Sequence, residues 1–193
     1  MDRGYIYVNK TNYLNNINYL KSLSNKEICL VVKANGYGHG IEWAVKTAIE
    51  GGVKWFAVAA INEAIKVRNV SDNVRILLLT EHSLSQIDKI VSNNIDLTVY
   101  NDFFIEGLEK SGNSFNTHIK IDTGMHRVGC EPEDFERIYE KIKSSSNINL
   151  TGLCTHFPIA DIEKAPTDVS IKLFKDLISN IDTSGLLIHV DNS

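Results

Sequence analysis

Short apolar runs and longer amphipathic stretches take turns along almost the whole chain. The runs stand at Glu27–Val32, Trp55–Val58, Arg75–Leu79, Leu97–Tyr100, His118–Ile121, Leu150–Thr155 and Leu186–Val190. Between them lie stretches such as GIEWAVKTAIEGG, AINEAIKVRNV, SLSQIDKIVSN, DFFIEGLEKSG, PEDFERIYEKIKSS and DVSIKLFKDLISN, with apolar residues three or four apart, as at Leu84, Ile87 and Val91. That spacing gathers apolar side chains on one face of a helix. The runs themselves are apolar at successive positions, which fits strands covered on both faces, as in a parallel sheet packed between helices. Upstream, a small strand is predicted at Tyr5–Val8, then a helix capped by Thr11 and reaching about Leu23.

Repeated strand–helix units leave two architectures, a doubly wound open sheet or a (β/α)8 barrel. The residues with chemical potential separate them. Lys33, Arg127, His156 and Ser193 each follow the carboxyl end of a different run, far apart in sequence. In a barrel all those ends converge on one mouth. An open sheet concentrates its site at one switch point. The pattern therefore predicts a (β/α)8 TIM-type barrel. It is an incomplete one, with about seven of eight strands, since 193 residues fall short of the ~250 typical of that fold.

Composition narrows the function. A chain with 43% hydrophobic residues can bury a real core, and a net charge of −4 spread over interspersed acids and bases gives no basic footprint for nucleic acid. MDRGYIYVNK lacks the apolar core of a signal peptide, and no run approaches the ~20 residues that span a bilayer, so a cytoplasmic protein is expected. Cys29, Cys130 and Cys154 include no CxxC pair and read as reduced thiols. The histidines show no HxxxH or HExxH pairing, so no metal is expected.

Three segments carry candidate chemistry. In CLVVKANGYGHG a lysine ends an apolar run and a glycine-rich loop follows. An amine among apolar neighbours has its charged form disfavoured and becomes a usable nucleophile for a carbonyl. The alternative is a lysine whose stem packs on the fold while its head reaches water. The loop permits positive φ and resembles a phosphate cradle with Tyr37 offering a hydroxyl, although a tight turn explains it equally. Its G-x-G-x-G spacing is not the dinucleotide fingerprint. In HIKIDTGMHRVGC a strand carries Lys120 and ends near Asp122, and a turn presents Arg127. That planar fork suits a carboxylate or phenolate, or else an ion pair with Asp122 or a helix acid. In GLCTHFPIAD a strand delivers His156, an acid/base, a stacking ring or a satisfied core histidine.

Taken together these segments resemble the N-terminal barrel domain of the alanine racemase family. VVKANGYGHG is similar to its cofactor-lysine motif, which usually has alanine where Gly36 stands; KIDTGMHRVG, THFPIAD and HVDNS are similar to its arginine, histidine and phosphate segments, in family order. The resemblance implies pyridoxal 5'-phosphate as cofactor and interconversion of L- and D-alanine, supplying D-alanine for peptidoglycan. Lys33 would be the Schiff-base lysine and one of two acid/bases at Cα. Tyr37, Asn192 and Ser193 would lie at the cofactor phosphate and His156 against its ring. Arg127 would contact the phenolic oxygen and the substrate carboxylate. Lys120 matches a lysine carbamylated in some members, and Asp161 matches a position with a structural role. The family's second base is a tyrosine from a C-terminal β-domain of the partner subunit in a head-to-tail homodimer. The sequence shows neither that domain nor an eighth strand. It is therefore expected to be a fragment, in which residues 1–10 form a strand that would pair with the absent domain and 11–193 form a partial barrel. Taken alone, it is expected to be inactive or nearly so. A serine or broad-specificity racemase and a non-catalytic pyridoxal-phosphate barrel are the other readings.

Overall fold

The computed structural model describes residues 4–191, so the expectations for Asn192 and Ser193 lie outside the described residues. Seven parallel strands alternate with helices, the element order of an incomplete (β/α) barrel. The described chain divides into two compact units, one of residues up to 79 with 93–95, the other of 80–92 with the residues from 96 on.

The first unit holds β1 (Cys29–Val31), β2 (Trp55–Val58) and β3 (Arg75–Leu78), each hydrogen-bonded in parallel to the next. Every residue of β2 is buried, as the unbroken apolar run requires. Helices α3 (Ile41–Glu50) and α4 (Ile61–Val70) follow β1 and β2. They turn Ile41, Ala44, Val45 and Ala48, and Ile61, Ala64 and Val67, inward at the predicted spacing. Arg68 closes the carboxyl end of α4. Its guanidinium donates to the carbonyls of Ser71, Asp72 and Val74 and reaches those of Asn93 and Asn94, which accounts for that short segment joining this unit.

Helix α1 (Lys10–Ser24) is capped two residues earlier than predicted. Asn9 Oδ1 accepts from Asn12 N at 3.0 Å, so Thr11 is already inside the helix. Amide side chains suit the N-cap because they accept from the free backbone N–H groups of the first turn. Residues 5–8, expected to pair with a further domain, form no strand with the described residues. Those residues pair with no other strand among the described residues, and Tyr5, Ile6 and Tyr7 are exposed.

The second unit holds β4 (Asp96–Val99), β5 (Phe115–Lys120), β6 (Ile148–His156) and β7 (Leu187–Asp191), again in parallel order. The connecting helices are α5 (Ile87–Ser92), α6 (Asp102–Ser111), α7 (Phe135–Ser144) and α8 (Lys164–Ile178). Leu97, Val99, Phe104, Leu108, Ile119, Ile138, Ile142 and Phe174 form its core. The register between β5 and β6 slips between Thr117 and His118, so that Thr117 faces Leu150 but His118 faces Gly152. The extra residue, Thr151, bonds back to the Thr117 carbonyl at 3.2 Å. Such a bulge re-aims the side chains beyond it. No helix among the described residues is long and apolar enough to cross a membrane.

Candidate active site

In the first unit the chain leaves β1 through Val32, and half-buried Lys33 follows. The next residues turn left-handed one after another, a single turn labelled α2 (Lys33–Tyr37): Ala34 at φ 51°, Asn35 at 56°, Gly36 at 64° and Tyr37 at 52°. That region costs an L-residue roughly 1–2 kcal/mol, so Ala34 and Tyr37 carry real strain. Asn35 tolerates it, and at Gly36 a Cβ would meet Ala44 Cβ at 3.3 Å, a tight contact that needs the neighbour to give by a few tenths of an ångström.

Several bonds hold the strained turn. Gly36 N donates to Val32 O at 2.9 Å, and Ile41 N, opening α3, donates to Asn35 Oδ1 at 3.1 Å. Ala34 N donates to Glu63 Oε1 at 2.6 Å, while the other Glu63 oxygen accepts from Ala59 N just past β2 at 3.1 Å. The consequence is that Lys33 Nζ stands 6.0 Å from the centroid of the Tyr37 ring, which is 56% exposed. Beside Tyr37 opens a cavity of about 370 Å³ bounded by Tyr7, Asn12, Tyr13, Gly38 and His39 among others.

In the second unit β5 ends at Lys120, buried, with Cys154 of β6 beside it in register, and β6 ends at His156, half-buried. Beyond β5 the buried Asp122 organises the next loop. Its Oδ1 accepts from Gly124 N at 2.9 Å and His126 N at 3.0 Å. Burial alone would raise this carboxyl, but the N–H groups of Gly124, His126 and Met125 and the His126 charge hold it below its ordinary value. The loop returns through Cys130, whose N donates to Lys120 O and whose carbonyl accepts from Asp122 N, both at 2.9 Å. Thr123 is tied to Thr155 and to Ser170 Oγ at 2.7 Å each.

Arg127 rides exposed on this rigid loop. The ion pair with Asp122 or a helix acid, open on sequence grounds, is not formed. Among the described residues Arg127 has no carboxylate partner. Asp161 lies exposed in the turn after β6. Burial pushes the Cys130 and Cys154 thiols up to about 12, which leaves them inert at neutral pH.

Two features escaped sequence reasoning. One is a pair between the buried His118 and the half-buried His189, Nδ1 to Nε2 at 2.8 Å, with Asp96 Oδ2 4.0 Å from His118 Nε2. Its members are 71 residues apart, so no short-range spacing reveals them. The other is Glu81, just past β3, which accepts from Tyr100 N at 2.7 Å, Asn101 N at 2.9 Å and the Asn101 amide. Burial outweighs those donors and pushes its carboxyl from 4.5 up to about 7.

Because the folded state holds the Glu81 proton more tightly than the unfolded chain, its contribution is favourable at low pH. It is lost as pH rises from 4.5 to about 7. Comparison with Glu81→Gln by urea denaturation should show the wild type losing roughly 2 kcal/mol relative to the variant across that window. An equal difference at both ends would show that the carboxyl titrates normally.

Comparison with known proteins places these halves in context. Residues 8–193 match the family model described as alanine racemase, N-terminal domain. The alanine racemase of Treponema denticola is 36% identical over 92% of this chain and 50% of its own, and that of Methanococcus maripaludis 34% over 93% and 51%. Among solved structures, alanine racemase of Clostridium difficile superposes with a TM-score of 0.85 at 32% identity, covering 94% of this chain and 50% of that one. A histidine racemase from Leuconostoc mesenteroides, 22% identical, shares the fold with a TM-score of 0.86 over 94% of this chain and 50% of its own. The chain spans about half the length of the curated relatives it matches. With its motifs in order and its strands superposable on theirs, it belongs to the alanine racemase N-terminal-domain family.

Proposed function

We propose that these residues form the cofactor-binding half of a pyridoxal-phosphate-dependent racemase that interconverts L- and D-alanine in the cytoplasm. The observation that carries the reading is the pairing of Lys33 with Tyr37 on a strained turn at a strand end, an amine and a phenol held side by side. Such a donor set fits the aldehyde and the phosphate of one cofactor. When bound, the cofactor supplies the electron sink that makes the α-proton of an amino acid removable.

The chain's own residues would do the rest. Lys33 would hold the cofactor through its amine and would be the acid/base on one face of the substrate Cα. Tyr37, with Asn192 and Ser193, would hold the cofactor phosphate. By the family resemblance, His156 would lie against the cofactor ring and Lys120 would help orient Arg127. The planar fork of Arg127 would offer donors to the phenolic oxygen and to the substrate carboxylate, which a lysine cannot match. Racemisation needs a second acid/base on the opposite face, and no residue above has that place. It would come from the second subunit of a homodimer.

The test begins with pyridoxal phosphate added to the purified chain. An absorbance band near the visible edge is expected, fixed by borohydride on Lys33 and missing in Lys33→Ala. In deuterated water the loaded chain should exchange the alanine α-proton far faster than it racemises alanine. Failure to form any Lys33 adduct would overturn the reading, and racemisation by these residues alone at the rate of a complete relative would overturn the one-face assignment.

A further inference from the structure

We infer that Glu63 is a positioning residue for Lys33, acting through the peptide that follows the lysine; the inference rests on the functional reading above. The backbone must reverse hand immediately after Lys33, and every residue from Ala34 to Tyr37 has positive φ. A turn that stores strain persists only where its surroundings over-determine it. Most bonds of this turn are local, running to Val32, Asn35 or Gly36. The bond from Ala34 N to Glu63 Oε1 is different. At 2.6 Å it is the short, charge-assisted kind, and it comes from a residue 29 positions away.

Glu63 is itself fixed from two sides. It sits in the first turn of α4, and its second oxygen is held at 3.1 Å by Ala59 N, the residue after β2. One carboxylate thus receives the first N–H beyond Lys33 and the first N–H beyond β2. It fixes the peptide plane of Lys33 against the end of the neighbouring strand, and with it the direction in which the lysine side chain leaves the backbone. Both oxygens act as acceptors, so only a carboxylate of this length serves. Glutamine keeps the shape but turns a donor toward one of the two N–H groups, and alanine removes the clamp.

The experiment compares wild type, Glu63→Gln and Glu63→Ala as full chains. Backbone amide exchange of residues 34–37 is followed by mass spectrometry, together with the melting midpoint and half-saturation by pyridoxal phosphate at Lys33. Both variants should fold, exchange the Ala34 amide at least tenfold faster, and need about tenfold more pyridoxal phosphate. Protection in residues of the other helices should stay unchanged. Unaltered exchange at 34–37 in Glu63→Ala overturns the clamp. Faster exchange with unaltered half-saturation overturns the positioning role. If the wild type forms no Lys33 adduct, the functional reading falls and positioning for that chemistry with it, while amide exchange still decides whether the clamp exists.

Discussion

Alanine at Gly152 is expected to cost about 3 kcal/mol and to lower the melting midpoint by roughly 6–12 °C. Gly152 faces His118 across the β5–β6 pair, on the far side of the register slip. A Cβ there would drive into the His118 ring at Nδ1 and Cε1 and lie 2.8 Å from the Leu187 carbonyl oxygen. Neither neighbour can give way. His118 is fully buried and bonded to His189, and Leu187 O belongs to the backbone of β7. The missing side chain is therefore the space in which the histidine pair sits. The claim separates from a general intolerance of alanine through a double-mutant cycle. In a His118→Ala background the share of the cost set by the ring should vanish and only the share set by the Leu187 carbonyl remain, whereas fully additive losses would mean that the ring is not what alanine meets.

The same strands show what the sequence makes legible and what it conceals. Trp55–Val58 is read to the residue because a run apolar on both faces that starts right after a lysine has few alternatives. The other six runs locate their strands within a few residues, since burial decides existence while ladders decide ends. Helix starts fare worse. Helix α8 begins at Lys164, not in the apolar stretch from Asp168, because its first turn is polar and contains Pro166, which is tolerated there. The left-handed turn after Lys33 is half legible. Gly36, Gly38 and Gly40 announce positive φ and have it, but nothing in Ala34 or Tyr37 does. Glu63 reads as an ordinary acid in a first helical turn, and its work across 29 positions appears only once β1 and β2 lie side by side. Local pattern encodes burial; contacts distant in sequence need the fold.

The loop bearing Arg127 yields the other large effect. Gly129→Ala is expected to cost about 2–4 kcal/mol and to raise amide exchange through residues 122–130. Gly129 has φ 138°, and a Cβ on it would stand 2.7 Å from Asp122 N and 3.0 Å from Ile121 C. Both are backbone atoms at the end of β5, and Asp122 N makes the bond to Cys130 O that closes the loop. No rotamer relieves such a clash, so the loop must lift and take the guanidinium with it. Gly124 supplies the control within the same loop. Its φ, 131°, is nearly as unusual, but its Cβ would meet only Ser170 Oγ at 3.4 Å, an ordinary contact. Gly124→Ala therefore carries the backbone strain without the collision. The excess loss in Gly129→Ala, read from urea midpoints, measures how tightly the Arg127 loop is pressed onto β5. Equal losses in the two variants would assign the whole cost to φ and leave the loop's closeness without energetic weight.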